Sequence, residues 1–361
     1  MNRRQLLGAA LAAAAGSTIA PSLLAQGTQP TTNPAEPTPS RLPRWRGFNL
    51  FEMFHPEWSE GTFRESDFDW IAEWGFDFIR LPLSYWFWAK PEAMLEIDEA
   101  VLTRVDDAVR WGGERGMHVS LNMHRIPGYC VNPPAEPTSI ADDPATLAAA
   151  QHHWAMFAER YKGIPNTRLS FDLMNEPANF DTPTYLRIHR ALAEAIRAID
   201  PSRLIVADGN QWGNEVVPGV IDLGLAASTR GYQPMQISHF RASWIGGSDA
   251  WEVPTWPLTI DGQTRDKAWL RQHYEPWRQA AANGLGVHVG EWGSHNRTPH
   301  DVALAWMGDC LDLYRAFGWG WGLWNFRGSF GILDSERDDV EYEEFRGHKL
   351  DRRMLELLRA G

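Results

Sequence analysis

Eight short apolar segments, each followed by a polar or helix-like stretch, constrain this chain more than any other feature of it. They are WRGFNL (45–50), FDFIRLPL (76–83), MHVSLNMH (117–124), RLSFDLMN (168–175), RLIVADG (203–209), MQISHF (235–240), LGVHVGE (285–291) and WGWGLWNF (319–326). Runs of this length bounded by turn residues read as strands. Between them lie amphipathic stretches, of which DEAVLTRVDDAVRWGGERG and TPTYLRIHRALAEAIRAID are the clearest. In the second, Leu186, Ala193, Ile196 and Ile199 share one helical face, and Asp181-Thr182-Pro183 supplies a start signal. Strand–helix alternation implies parallel strands. Eight repeats over residues 44–361 predict an α/β fold of the (β/α)8 TIM barrel type, closed rather than open.

The first residues stand outside that pattern. Arg3-Arg4 is followed by the apolar run LLGAALAAAA, too short for a bilayer span, and then by small residues. This reads as a twin-arginine export signal over residues 1–25, cleaved near Ala20 or Ala25. Residues 26–43, QGTQPTTNPAEPTPSRLP, are rich in Pro and Thr and read as a flexible linker. The expectation is a protein exported to the periplasm or beyond, without stable membrane insertion, whose folded domain covers 44–361.

The net charge of −12 disfavours a nucleic-acid backbone or an anionic membrane as partner and suits a neutral substrate. Tryptophan is abundant, with 19 residues, enough to fill a core and still leave indoles for stacking against sugar rings. The two cysteines, Cys130 and Cys310, fall far apart in the repeat pattern and are expected as free thiols. No Cys/His cluster has zinc spacing, no glycine-rich loop joins a strand to a helix, and there is no Gly-x-Ser-x-Gly elbow. The expectation is therefore an enzyme without metal or organic cofactor.

In such a barrel the chemistry sits at the C-terminal ends of the strands. The residues there are Arg80, His124, Asn175, Glu176, His239, Glu291 and Trp324. Two carboxylates converging on one pocket are what cleavage of a glycosidic bond requires: one protonates the leaving oxygen, and the other attacks the anomeric carbon or activates water to do so. A barrel enzyme of another class would want a metal site or a phosphate-gripping loop after the last two strands.

The motifs LMNEPAN and HVGEWG, with FIRLPLSYW, LNMHRIPG and WGLWNFRGSFGILD in the same order, resemble glycoside hydrolase family 5 over essentially residues 44–361. The resemblance implies a retaining β-glycosidase, with endo-β-1,4-glucanase as the leading activity. Mannan, β-1,3-glucan, xyloglucan and exo-acting activities stay open, as does a non-catalytic carbohydrate-binding barrel. It further implies that Glu176 is the acid/base and Glu291 the nucleophile, and that Arg80 holds Glu291 charged. Asn175 would bond the sugar 2-hydroxyl, His124 and His239 would bond sugar hydroxyls or orient the carboxylates, and Trp324 would floor the −1 subsite. Among Trp86, Trp88, Trp244, Trp251 and Trp256, some are expected to line outer subsites. The family usually carries His-x-Tyr at the end of strand six, with the tyrosine touching the nucleophile. In SHFRASW the corresponding place holds Arg241, which strand alternation would turn inward beside His239.

Overall fold

In the computed structural model, residues 36–361 are described. The export signal expected over 1–25, and residues 26–35 of the expected linker, lie outside the described residues. Eight parallel strands close into a barrel in the order of the chain: β1 (Arg46–Asn49), β2 (Phe78–Ser84), β3 (His118–Arg125), β4 (Leu169–Asp172), β5 (Ile205–Asp208), β6 (Ala226–Gly231), β7 (Val287–Trp292) and β8 (Gly320–Leu323). Closure runs through β1, where Gly47 is in register with both Phe78 of β2 and Gly322 of β8. A Cβ on Gly47 would lie 1.7 Å from the Phe78 carbonyl oxygen, so only glycine lets the strands meet there.

Helices cover the barrel: α1 (Glu65–Glu73), α2 (Glu99–Glu114), α3 (Pro144–Arg160), α4 (Thr182–Arg197), then α5 (Lys267–His273), α6 (Glu275–Ala282), α7 (His300–Phe317) and α8 (Arg352–Ala360). Aspartate N-caps start most of them; Asp181 accepts from the Thr184 amide at 2.8 Å, satisfying a donor that the helix leaves free. Helix α4 buries Tyr185, Ile188, Leu192, Ala193 and Ile196, while Leu186 and Ile199 lie half-buried at the margin of that face.

Inside the barrel, alternation stacks residues in layers. At the N-terminal end Trp45, Phe78, Leu204, Val206 and Ala226 form an apolar plug. Higher up, the same inward positions become polar and charged: Asn49, Arg80, Asp172, Asp208 and Arg230, all buried. The fold therefore carries its charges toward the C-terminal mouth.

Two expectations about the fold change. The segment 235–240 is not strand six: Pro234 precedes a helical turn over Met235–Ser238. Strand six is AASTRG, wholly buried yet built of small and polar residues, so it lacks the apolar signature by which the other strands were found. The linker expected through residue 43 also gives way to structure by residue 36. The Glu36 carboxylate accepts from the Asn166 amide at 2.8 Å, the Pro39 carbonyl accepts from the Gly286 amide at 2.7 Å, and Leu42 packs on the apolar plug. Both cysteines are free, as expected, Cys310 buried and Cys130 half-buried. Among the described residues no helix is long and apolar enough to cross a membrane.

Candidate active site

A cleft of about 850 Å³ opens at the C-terminal ends of the strands, and both Glu176 and Glu291 line it. Glu291 is the penultimate residue of β7 and is buried. Glu176 comes four residues after β4 ends, in a left-handed conformation (φ 47°) that turns the chain across the mouth. Its amide donates to Asp208 Oδ2 at 2.9 Å, and its carbonyl accepts from the Tyr129 hydroxyl at 2.7 Å. These bonds hold the backbone in a conformation that a non-glycine residue rarely adopts.

Arg80 lies beneath the pair. Its guanidinium donates to Glu291 Oε1 at 2.6 Å, to Asp172 Oδ2 at 2.8 Å, to Asn49 Oδ1 at 3.0 Å and to Asn175 Oδ1 at 2.9 Å. Arg230, on β6, donates through Nε to Glu176 Oε1 at 2.9 Å and through Nη2 to Asn175 Oδ1 at 2.9 Å. The second oxygen of Glu291, Oε2, accepts from the Tyr232 hydroxyl at 3.1 Å.

These surroundings drive the two carboxyl groups apart. Burial pushes Glu176 up to about 8, helped by the charge of Glu291 and opposed by Arg230. Burial would raise Glu291 as well, but the guanidinium groups of Arg230 and Arg80 outweigh it and hold Glu291 below the usual carboxylate range. One site therefore holds a protonated acid beside an ionised carboxylate, the division of labour that acid-assisted displacement needs. Burial also keeps His124 (about 3) and His239 (about 4) neutral.

The structure brings all seven sequence-predicted residues to this mouth. Arg80 and Asn175 sit in the buried bonding network, and His124, His239 and Trp324 line the cleft with the two glutamates. His124 Nε2 lies 2.8 Å from Asn132 Oδ1 and 3.3 Å from Asn175 Nδ2. His239 bonds Ser238 Oγ through Nδ1 at 2.8 Å. Trp324 stacks on Phe51 with ring centroids 5.4 Å apart.

The reading of Arg241 is overturned. It is exposed, outside the cleft lining, with its guanidinium 4.9 Å from the Phe240 ring. The alternation that turned it inward belongs to strands, and this stretch follows a helical turn. The tyrosine that seemed missing is Tyr232, one residue past β6. Sequence reasoning also missed Asp208 and Arg230; the spacing Arg230-x-Tyr232 was the available signal, hidden because its strand was not recognised.

The tryptophans divide. Trp88 is core, donating to His153 Nδ1 at 3.0 Å, and Trp86 lies half-buried under the Arg125 guanidinium at 4.0 Å. Trp256 donates to Asp309 Oδ2 at 2.9 Å, and Trp251 is half-buried outside the lining. Trp244 does line the cleft, joined by two that were not anticipated, Trp58 and Trp212; the three are 57 %, 56 % and 44 % exposed, unusual for indoles unless a ligand covers them.

Comparison with known proteins agrees with this geometry. The family model for cellulase (glycosyl hydrolase family 5) matches residues 31–329. Endoglucanase C of Acetivibrio thermocellus is 22 % identical over 319 residues, covering 81 % of this chain and 92 % of the relative. A crystal structure described as a glycoside hydrolase is 39 % identical with a TM-score of 0.83, covering 88 % of this chain and 99 % of that one. Cel5A of Thermotoga maritima, solved with cellobiose, shares the fold at a TM-score of 0.71 and 23 % identity, covering 87 % and 96 %. With the family match running through every strand that feeds the cleft, the chain belongs to glycosyl hydrolase family 5 and is a glycoside hydrolase.

Proposed function

We propose that this glycoside hydrolase is an exported, retaining endo-β-1,4-glucanase, with Glu176 as acid/base and Glu291 as nucleophile. The observation that carries the reading is the convergence of the two carboxyl groups on one cleft, each bonded to a buried guanidinium, with burial raising Glu176 and the two cations holding Glu291 low. Glu176, protonated at neutral pH, gives its proton to the leaving oxygen while ionised Glu291 attacks the anomeric carbon. Both carboxylates approach the guanidinium of Arg230, which favours the close spacing of a retaining pair, about 5–5.5 Å, over the wider spacing of an inverting one. In this reading Arg80 keeps Glu291 ionised, Asn175 bonds the 2-hydroxyl, His124 and His239 bond other hydroxyls, and Trp324 lies under the sugar.

The β-glucan assignment draws on relatives named endoglucanases and on three exposed indoles around the cleft, which suit a chain passing through rather than a sugar end held in a pit. The Thermotoga protein has been solved with mannotriose as well as cellobiose, so β-mannan belongs in any substrate panel. Export rests on Arg3-Arg4 and the apolar run behind it; lysine at both positions is expected to stop export while leaving cytoplasmic enzyme active.

The test combines products and rescue. Hydrolysis of cello-oligosaccharides should yield internal cuts with retained anomeric configuration by NMR. Glu291→Gly should abolish turnover, and azide should restore it with inversion. Glu176→Ala should slow poor leaving groups far more than activated aryl glycosides, because only the former need the proton. Inverted product from the unmodified enzyme would overturn the assignment.

A further inference from the structure

Arg230 approaches both carboxylates. Its Nε donates to Glu176 Oε1 at 2.9 Å and its Nη2 lies 3.3 Å from Glu291 Oε1. Asp208 grips the guanidinium from the other side: Nη1 donates to Oδ1 at 2.9 Å, and Nη2 donates to Oδ2. That same Oδ2 accepts the Glu176 amide at 2.9 Å. One carboxylate thus fixes both the cation and the backbone of the acid. Gly290, beside this group, leaves room for it: a Cβ there would lie 3.0 Å from Arg230 Nη1 and 2.3 Å from Ser228 Oγ.

A retaining reaction moves charge between these two glutamates. In the first step an electron pair of Glu291 forms the bond to the anomeric carbon, the bond to the leaving oxygen breaks, and the Glu176 proton passes to that oxygen. The negative charge has then left Glu291 and appeared on Glu176. In the second step Glu176 takes a proton from water, the water oxygen bonds the anomeric carbon, and Glu291 departs as carboxylate. A cation in contact with both groups stands beside the charge in each step without having to move.

We propose that Arg230, clamped by Asp208, is a positioning residue that keeps one positive charge beside the glutamate pair through both half-reactions and so sets the pH window of catalysis. It does so two residues before Tyr232, where the family pattern has histidine. The inference rests on the roles assigned to Glu176 and Glu291 above. The groups facing the pair are Arg80 from β2, His124 from β3, Asp172 beyond Arg80 on β4, Asp208 from β5, Tyr232 after β6, and His239 at the cleft wall. His288, on β7, lies lower in the barrel against Phe78. The histidines are neutral, burial holding His124 and His288 near about 3 and His239 near about 4. The charges that can move the window are therefore Arg80, Arg230, Asp172 and Asp208.

The test is the pH dependence of kcat/KM on a cello-oligosaccharide, whose sugar leaving group needs the Glu176 proton, so that both limbs are expressed. Loss of the cation in Arg230→Gln lets both carboxyl groups hold protons more tightly, so both limbs move to higher pH, by roughly 1–3 units. Arg230→Lys, which restores the charge without the fork, should bring them part of the way back. Asp208→Asn removes a negative charge from the same place, so both limbs move to lower pH. The double variant Arg230→Gln/Asp208→Asn balances the charge and should return the limbs toward their original positions. If Arg230→Gln alone does not accumulate as folded protein, Asp208→Asn and the double variant carry the same comparison. A merely structural role lowers activity without shifting the limbs in opposite directions; limbs that stay put, or move the same way in Arg230→Gln and Asp208→Asn, overturn the proposal. Azide rescue of Glu291→Gly keeps the two readings apart. Failed rescue sinks the glutamate assignment, and successful rescue with unmoved limbs sinks only the role of Arg230.

Discussion

Replacing Tyr232 with phenylalanine removes a single oxygen from the site and leaves the ring in place between His239 and Phe330, 4.8 Å and 6.3 Å away by centroid. The lost contact is the hydroxyl's 3.1 Å bond to Glu291 Oε2. Burial, together with the charge of Glu291, pushes the Tyr232 hydroxyl well above its ordinary pKa, so it stays a donor throughout any practical assay range. A hydrogen bond to a charged group contributes about 1.5–3 kcal/mol. At about 1.4 kcal/mol per pKa unit, its loss should raise the Glu291 pKa by about 1–2 units. The donor favours the ionised form, so its removal moves the acid limb of kcat/KM to higher pH. Arg80 still donates to Oε1 at 2.6 Å, so the carboxylate remains ionised at neutral pH. The basic limb belongs to Glu176, which Tyr232 does not bond, and should move little. Steady-state kinetics on a cello-oligosaccharide, whose leaving group needs the Glu176 proton, measure both limbs from pH 3 to 10 (roughly the span over which carboxyl groups titrate here). An acid limb that stays where it was would refute the reasoning that Tyr232 stabilises the nucleophile's charge.

Three other outcomes are expected. Glu176→Gln should raise Tm relative to the unmodified protein, increasingly from about pH 5 to about pH 8. With its folded pKa lifted from 4.5 to about 8, the Glu176 carboxyl contributes most below its unfolded pKa and loses that contribution as pH rises; equal Tm differences at both ends of the range would contradict this. Trp212→Ala should lose much more kcat/KM on polymeric glucan than on an aryl monoglycoside, because its indole lines the cleft and its amide bonds the carbonyl of Pro177, next to Glu176, at 3.1 Å; equal losses would remove it from the substrate path. Gly47→Ala should prevent soluble folding or lower Tm severely, since the added carbon meets the Phe78 carbonyl at 1.7 Å; a near-native melting curve would mean the seam of the barrel yields more readily than its geometry suggests.

The parts of the molecule that were legible in the sequence share a physical cause. Seven strands are apolar runs because their outward faces pack under helices, and burial of that kind leaves a compositional trace. The glutamates could be picked out because an ionisable group ending an apolar run is costly unless it is used. Strand β6 left no such trace: Ala226, Ala227, Ser228 and Thr229 are small, and its one large side chain, Arg230, reads as a surface residue until its partners are known. The partners come from β4, β5 and β7, far apart in the chain, and only barrel closure brings them together. The misplacement of Arg241 follows from the same gap. Once MQISHF stood in for the missing strand, everything read from its parity shifted, although His239 still reached the cleft through the turn that replaced it.

Two guanidinium groups and four carboxyl groups occupy the barrel mouth, and burial raises two of the four, Asp172 to about 7 and Glu176 to about 8. Below about pH 7, with those two protonated, Arg80 and Arg230 balance Asp208 and Glu291, and Asp172 adds its charge as it ionises above that. The charges lie within contact of one another and out of solvent, at separations far below the roughly 8–10 Å over which physiological salt screens. A glucan carries no charge of its own. Both limbs of the pH profile should therefore hold their positions as ionic strength rises, while exposed ion pairs such as Arg353–Asp301 weaken. A fall in activity in concentrated salt would then report on the outer surface or on the polymer, and a charged substrate would betray itself by the salt sensitivity that a neutral one lacks.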